Sequence, residues 1–365
     1  MAKFNIVTFL KDAVKEGASD IHLRTDEAPA IRKDGKILKT KLPPLTEEDL
    51  LGIVETVVPK NIRNKVFEVF DIDFAFEIKE VSRFRINLAR DLGKLAMVIR
   101  VISYDIPTLE ELSLPKSIEH FSTLTNGIVL ITGSTGSGKS TTIASLLNLI
   151  NTKYQKHIIT IEDPVEFIYT DHKSIITQRQ IDIDTASFSD GVKYALRQDP
   201  DVILIGEIRD KDTMQSALKA AETGHLVFAT MHTNDAVQTI SRIINFFEAE
   251  DRDFVKRQIA DILKGTVAQK LIPRQDKHGR IPACEVLVVT PTIKDFIIKG
   301  EMDQIYSLVQ KGSFDEMTTM NMSLFSLMQR ELISKEDALY FSNNKNELQQ
   351  YIRGVYHGTF TRITM

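Results

Sequence analysis

The period of the apolar positions changes along the chain. Near the amino end, Ile6, Val7, Leu10 and Val14 recur at helical spacing and the run stops at Gly17, which predicts a helix with a glycine at its end. Asp34-Gly35 separates Ile31-Arg32-Lys33 from Lys36-Ile37-Leu38, a hairpin signal. Thr46 stands three residues before Asp49, and Leu50, Ile53, Val54 and Val57 follow on one helical face. That spacing predicts a capping box and a second helix, ended by Pro59. Ile72, Phe74, Phe76 and Ile78 then alternate with other residues, as do Phe84, Ile86 and Leu88, and Leu95 to Ile102 is a denser apolar run. Several strands with two helices predict a sheet carrying its helices on one side.

From Tyr104 to Pro115 the chain holds Pro107 and Pro115 and few long apolar runs, as a linker does. Beyond it the grammar becomes strand, loop, helix. Ile128 to Thr132, His157 to Ile161, Val202 to Ile205 and Leu226 to Thr230 are short apolar or β-branched runs. Continuous apolar strands between helices predict a doubly wound α/β sheet covered on both faces. From about Thr290 the pattern is helical, with Ser334 and Asp337 at capping-box spacing and Met317, Met320 and Met322 reading as core filling. The expected division is a first α+β domain over 1–104, a linker over 105–118, an α/β domain over 119–290, a helical region over 291–356 and a loose tail over 357–365.

Composition narrows the function. A chain of 365 residues has room for two domains, and 42% hydrophobic residues can fill their cores. Lys+Arg 46 against Asp+Glu 50 gives a net charge of -4, which argues against a dedicated nucleic-acid binder. The single cysteine, Cys284, cannot form an internal disulfide; within Cys284-Glu285-Val286-Leu287-Val288-Val289 it reads as a small buried hydrophobe, and a reducing cytoplasm fits. No run is long and apolar enough to span a bilayer, and Lys11 and Asp12 interrupt the first apolar stretch before a signal-peptide core develops. The expectation is a cytoplasmic protein that reaches a membrane only through a partner.

Gly133-Ser134-Thr135-Gly136-Ser137-Gly138-Lys139-Ser140 fits the P-loop pattern completely, and it follows an expected strand and opens an expected helix. Glycines permit turns closed to other residues and let backbone N–H groups approach phosphates. The helix beginning near Lys139 adds its positive end. Lys139 is expected to reach the β- and γ-phosphates and Ser140 to ligate Mg²⁺, with Thr141 completing the nucleotide-binding stretch. A P-loop alone says only nucleotide; acids decide turnover. Val202-Ile203-Leu204-Ile205-Gly206-Glu207 is a strand ending in an acid, offset by Gly206, and the His157 to Ile161 strand ends in Glu162-Asp163-Pro164-Val165-Glu166. Ligands of open α/β sheets sit at the carboxyl ends of strands, so these carboxylates suit Mg²⁺ binding and water activation. His232 stands just past another strand's carboxyl end, where a γ-phosphate sensor belongs, and His225 precedes the same strand as a further nucleotide-contacting candidate.

Taken in order, these segments resemble the secretion-ATPase superfamily, most of all its type IV pilus retraction members, the PilT/PilU family. The resemblance rests on Gly17-Ala18-Ser19-Asp20-Ile21-His22-Leu23, Arg83-Phe84-Arg85-Ile86-Asn87, the P-loop, Ile161-Glu162-Asp163-Pro164-Val165-Glu166-Phe167, Gly206-Glu207-Ile208-Arg209-Asp210, and Ala221-Glu222-Thr223-Gly224-His225 through His232-Thr233, and it covers nearly the whole chain. It implies a PAS-like α+β domain, a RecA-like P-loop ATPase domain and a helical C-terminal region. It implies a homohexamer with ATP between subunits, working on an inner-membrane pilus platform protein, with a paralogous retraction ATPase as a further partner and no nucleic acid. By motif position Glu162 is the catalytic glutamate and Glu207 the acid on the Mg²⁺ side, while Arg83, Arg85 or Arg100 reaches the phosphates. An arginine suits that task because its rigid fork stabilises charge on a transferring phosphoryl group.

Thr292 to Glu301 departs from the usual PilT motif there and looks more like PilU, as do Val267-Ala268-Gln269-Lys270-Leu271-Ile272-Pro273 and Glu336-Asp337-Ala338-Leu339. Main and accessory retraction motor both remain open. An extension or secretion ATPase is a second enzyme reading; the extension motors of the superfamily are typically longer and carry a four-cysteine metal module, against one cysteine here. Charge balance disfavours a nucleic-acid translocase, and the presence of Lys139, Ser140, Glu162 and Glu207 disfavours a nucleotide-gated scaffold without turnover.

Overall fold

The structure, a computed structural model, describes residues 4–33, 35–60, 62–63, 66, 70–79, 81–102, 104–277, 279–311 and 317–354. Asp34 of the hairpin signal and the 357–365 tail lie outside the described residues. Along the chain, the boundary between two compact units falls between Asp105 and Ile106.

In the first unit, α1 (Ile6–Lys15) starts at Asn5, whose side chain accepts from the Thr8 N–H, and it is followed by Gly17 at φ +79°. Strands β1 (Asp20–Arg24), β2 (Ala30–Lys33) and β3 (Lys36–Lys39) come next, then α2 (Glu47–Val57), whose Thr46–Asp49 capping box is present. β4 (Ile72–Ile78), β5 (Ser82–Asp91) and β6 (Lys94–Ile102) complete a six-stranded sheet of order β3-β2-β1-β6-β5-β4. Alternation sends Ile21, Leu23, Phe84, Ile86, Met97 and Ile99 to one face, where they pack with Leu10 of α1 and Leu50 and Ile53 of α2. Both helices therefore share one core, as the strand pattern predicts. The opposite face carries polar positions, with Arg100 opposite Asp20 on one neighbour and Arg85 on the other.

The second unit runs through α3 (Lys116–His120), β7 (Gly127–Thr132), α4 (Lys139–Lys153), β8 (His157–Glu162), β9 (Ile175–Gln180), α5 (Phe188–Ala195), β10 (Val202–Ile205), α6 (Lys211–Glu222) and β11 (Leu226–Met231). It continues with α7 (Ala236–Asn245), α8 (Arg252–Ile262), β12 (Leu263–Pro273) and β13 (Arg280–Val288). The seven-stranded sheet has the order β13-β12-β7-β11-β10-β8-β9; its pairings are parallel except for β12 with β13. Every residue of β7, β10 and β11 is buried, which requires cover on both faces. Ile128, Leu130, Ile203 and Ile205 pack with Val192, Met214, Ile240 and Ile259 of α5 to α8. Val129, Ile131, Leu204 and Phe228 pack with Ile118, Ile143 and Leu147 of α3 and α4. The mixed α/β class of the sequence reading is the observed one.

Helices α9 (Pro291–Lys299), α10 (Met302–Lys311), α11 (Met320–Gln329), α12 (Lys335–Phe341) and α13 (Lys345–Ile352) follow. Met320, Met322, Leu324, Ala338 and Leu348 close over Ile272, Ile281 and Ala283 of β12 and β13, and Met317 packs in the core beneath α5 to α8. Ser334 accepts from the Asp337 N–H at the start of α12. Among the described residues no helix is long and apolar enough to cross a membrane. Because β7, β8, β10 and β11 run parallel, their carboxyl ends meet along one edge of the sheet.

Candidate functional site

The loop after β7 needs its glycines. At Gly133, φ +144°, an added Cβ would sit 2.4 Å from the Gln269 carbonyl oxygen and 2.5 Å from Ser137 Oγ. At Gly138, φ +90°, it would sit 2.7 Å from Gln269 Nε2. Lys139 opens α4 and its buried Nζ donates to the carbonyls of Gly133 (2.9 Å) and Ser134 (3.1 Å), closing the loop from Ser134 to Gly138 into a ring. Gly138 offers no capping side chain and the first turn of α4 holds no acid, so the positive end of the helix is kept for an anion. Ser137 Oγ is buried without a hydrogen-bond partner inside this cradle. An anion-accepting loop, a buried ammonium and an orphaned hydroxyl fit a phosphate chain, and Ser140 lies in the first turn beside Lys139.

Gln269 of β12 was missed as a functional residue. Its Nε2 donates to the Ser137 carbonyl and its Oε1 accepts from Thr142 Oγ1, both at 2.8 Å, so it ties loop and helix to the sheet. The signal was a glutamine inside the apolar run Val267 to Pro273. Thr141 lines a cavity of about 370 Å³ beside the loop, with Gly138, Leu271, Arg274 and Arg280. A larger groove of about 590 Å³, lined by Asp190, Lys193, Asp212 and Lys219 of α5 and α6, includes no P-loop residue.

Two acids end neighbouring strands. Glu162 closes β8, is 8% exposed, and accepts from Thr160 Oγ1 (2.6 Å) and Gln178 Nε2 (3.2 Å). Burial, reinforced by the Glu162 charge, pushes the Tyr169 phenol well above its usual range, so that ring stays neutral. Gly206 donates to the Ile161 carbonyl at 2.8 Å, and a Cβ there would come within 3.2 Å of Glu162 Cα. That close approach explains why the second acid stands one residue farther from its strand. Glu207 Oε1 accepts from Arg209 Nε and lies 3.1 Å from His232 Nε2, just past β11. The P-loop, Glu162, Glu207 and His232 thus share one edge of the sheet.

His225 is not brought there. It precedes β11 at the amino end, about 20 Å of strand away from His232. Its Nδ1 is within hydrogen-bond distance of the Ala220 carbonyl (3.0 Å) and Thr223 Oγ1 (3.1 Å). Within one chain this separates it from the phosphate loop, as its place before the first residue of the strand requires. Arg83, Arg85 and Arg100 lie together on the polar face of the first unit's sheet. Arg85 approaches Asp73 at 3.7 Å and Arg100 Nε donates to Asp20 at 3.0 Å. Burial of Asp20 works against its charge, but the bonds from Arg100 and Ser19 outweigh it and hold the carboxyl below its ordinary value.

The signature of the type II/IV secretion system protein family matches residues 3–353. The type IV pilus retraction ATPase PilT of Pseudomonas aeruginosa is 39% identical over 334 residues, spanning 92% of this chain and 97% of its own. The type IV pilus ATPase PilU of the same organism is 37% identical, spanning 94% of this chain and 90% of its own. A crystal structure of the pilus retraction motor PilT with bound ADP superimposes with a TM-score of 0.89 at 41% identity, covering 95% of this chain and 99% of that one. These matches agree with the resemblance drawn from the motifs, and the chain belongs to the type II/IV secretion system protein family.

Proposed function

We propose that this chain is an ATP-hydrolysing motor subunit that powers type IV pilus retraction, acting as a homohexamer on an inner-membrane platform protein. The observation that carries the hydrolytic part is the gathering of Lys139, Glu162 and the Glu207–His232 pair at one sheet edge. Lys139 and the loop amides would hold the phosphates, and the cavity at Thr141, Leu271 and Arg274 is the place for the adenosine half. Ser140 and Glu207 would hold Mg²⁺, which when bound neutralises phosphate charge. Glu162, buried and fixed by Thr160 and Gln178, takes the proton of the attacking water. His232 holds Glu207 in place and reports on the γ-phosphate.

In this reading the 1–104 domain is PAS-like and supplies an arginine in trans. Support comes from register: Arg85 stands directly opposite Arg100, and Arg83 lies two residues before Arg85 on the same face, so three guanidinium groups gather on one side of that sheet. Hydrolysis would change the angle between the domains at the 105–118 linker, a known switching mode. Retraction as the direction of work rests on the similarity to PilT. An accessory, PilU-like motor acting beside a paralogous retraction ATPase is the second reading, favoured by the Thr292 to Glu301 stretch; identities of 39% and 37% do not separate the two.

Deletion of the gene in its host tests the proposal. Surface pili should persist or increase while retraction-dependent motility is lost. A bald strain, restored to piliation by the intact gene, would reverse the direction of work.

A further inference from the structure

Glu285 lies in the middle of β13 and is 2% exposed, between Ala283 and Cys284 on one side and Val286 and Leu287 on the other, all buried. A carboxylate buried among such neighbours is unfavourable unless specific donors compensate. It has two. Its Oε1 accepts from the Ala236 N–H at 2.8 Å and its Oε2 from the Met320 N–H at 3.3 Å. Ala236 is the first residue of α7, reached directly from the loop that carries His232; Met320 is the first residue of α11 in the C-terminal helices. Each helix already has its own cap for a later amide, Asp235 for Gln238 and Thr319 for Met322. One carboxylate therefore closes the first turns of two helices. The polar connection continues, because Asn321 Nδ2 donates to Glu347 Oε2 at 2.8 Å, and that carboxylate also accepts from Tyr306 and Tyr351.

We propose that Glu285 is a positioning residue for hydrolysis, which fixes the start of α7, and with it His232 against Glu207, to the C-terminal helices through α11. The inference rests on the hydrolytic reading above. It makes the helical region a partner in turnover rather than a passive cover, and it predicts a rate effect without a binding effect.

The test uses the full chain at pH 8.5, because burial pushes the Glu285 carboxyl up to about 7 against its backbone donors. Glu285→Gln keeps the shape but turns an N–H toward one of the two amides. With its melting temperature recorded, it should bind Mg-ATP within about twofold of the parent while kcat falls about tenfold or more. Glu285→Asp, which keeps the charge, should recover part of the rate. A folded Glu285→Gln protein with parental kcat overturns the proposal, as does a loss of rate that merely tracks lost nucleotide affinity and stability. Hydrogen exchange on the unaltered protein decides independently of folding of the variant. On exchanging ADP for a non-hydrolysable ATP analogue, the amides of Ala236 and Met320 should change protection together; a change at one alone, or at neither, overturns the joint. A parent protein that does not turn over ATP contradicts the hydrolytic reading instead, and the exchange result still judges the joint.

Discussion

His232 Nε2 lies 3.1 Å from Glu207 Oε1, at the ends of the adjacent strands β11 and β10. The backbone sets this contact: Ala229 pairs with Ile205, and Thr230 Oγ1 donates to the Gly206 carbonyl at 2.5 Å. Two side chains held by neighbouring strands move together, so His232→Ala should leave ATP binding intact and slow turnover by about 10- to 100-fold. His232→Gln, which keeps a donor, should lose less. Phosphate release measured beside nucleotide affinity checks this; a His232→Ala rate equal to the parent's means that the pair has no part in turnover.

The two acids should separate by role. Glu162→Gln keeps the shape and removes the basic carboxylate, so it should bind Mg-ATP and stall, with kcat down about 100-fold or more. Glu207→Gln should instead raise the Mg²⁺ concentration needed for half-maximal rate. Titrating Mg²⁺ against rate for both variants distinguishes them. If Glu207→Gln stalls with an unchanged Mg²⁺ requirement, the assignments are exchanged.

Much of this site was legible in the sequence because its parts are local. The P-loop is one contiguous stretch, and Glu162, Glu207 and His232 each end or follow an apolar run whose strand character is plain. The α2 cap was legible for the same reason, since Thr46 and Asp49 are three residues apart. What escaped depends on distant pairing. β13 is apolar at nearly every position and β12 mixes apolar residues with Lys264, Thr266, Gln269 and Lys270 without alternation, and nothing local says that Gln269 will meet Thr142 or that Glu285 will meet Ala236. β1, at Asp20–Arg24, is too short for alternation to show, and β9 is an edge strand whose exposed and half-buried positions give no apolar run. His225 precedes β11, and its distance from the phosphate loop within one chain follows from the parallel pairing of β11 with β7.

Gln269 offers a test of the support behind the loop. Gln269→Leu fills the space but leaves the Ser137 carbonyl and the Thr142 hydroxyl without these partners. Unfolding stability should fall by about 1–3 kcal/mol, the usual cost of buried groups left unsatisfied. Nucleotide affinity should fall as well, because Gln269 holds the loop. Denaturant unfolding and nucleotide titration measure the two effects; unchanged values for both would show that β12 does not brace the loop.

Cys284 should be chemically silent in the native protein. It is fully buried, and burial pushes its thiol up to about 12, far above the pH at which a free cysteine forms thiolate. A thiol reagent at pH 8 should label it only after denaturant is added. Native labelling at the rate of a small free thiol would mean that β13 opens readily.

Steady-state phosphate release from Mg-ATP by the purified chain, beside its Lys139→Ala variant, tests the account most directly. Lys139 Nζ sits inside the P-loop ring, bonded to Gly133 and Ser134, and no other described residue carries a positive charge on that loop. The account predicts sustained release by the parent chain and none above background from Lys139→Ala, with ATP affinity reduced at least about tenfold. No release by the parent under any condition, or equal release by the variant, would contradict it.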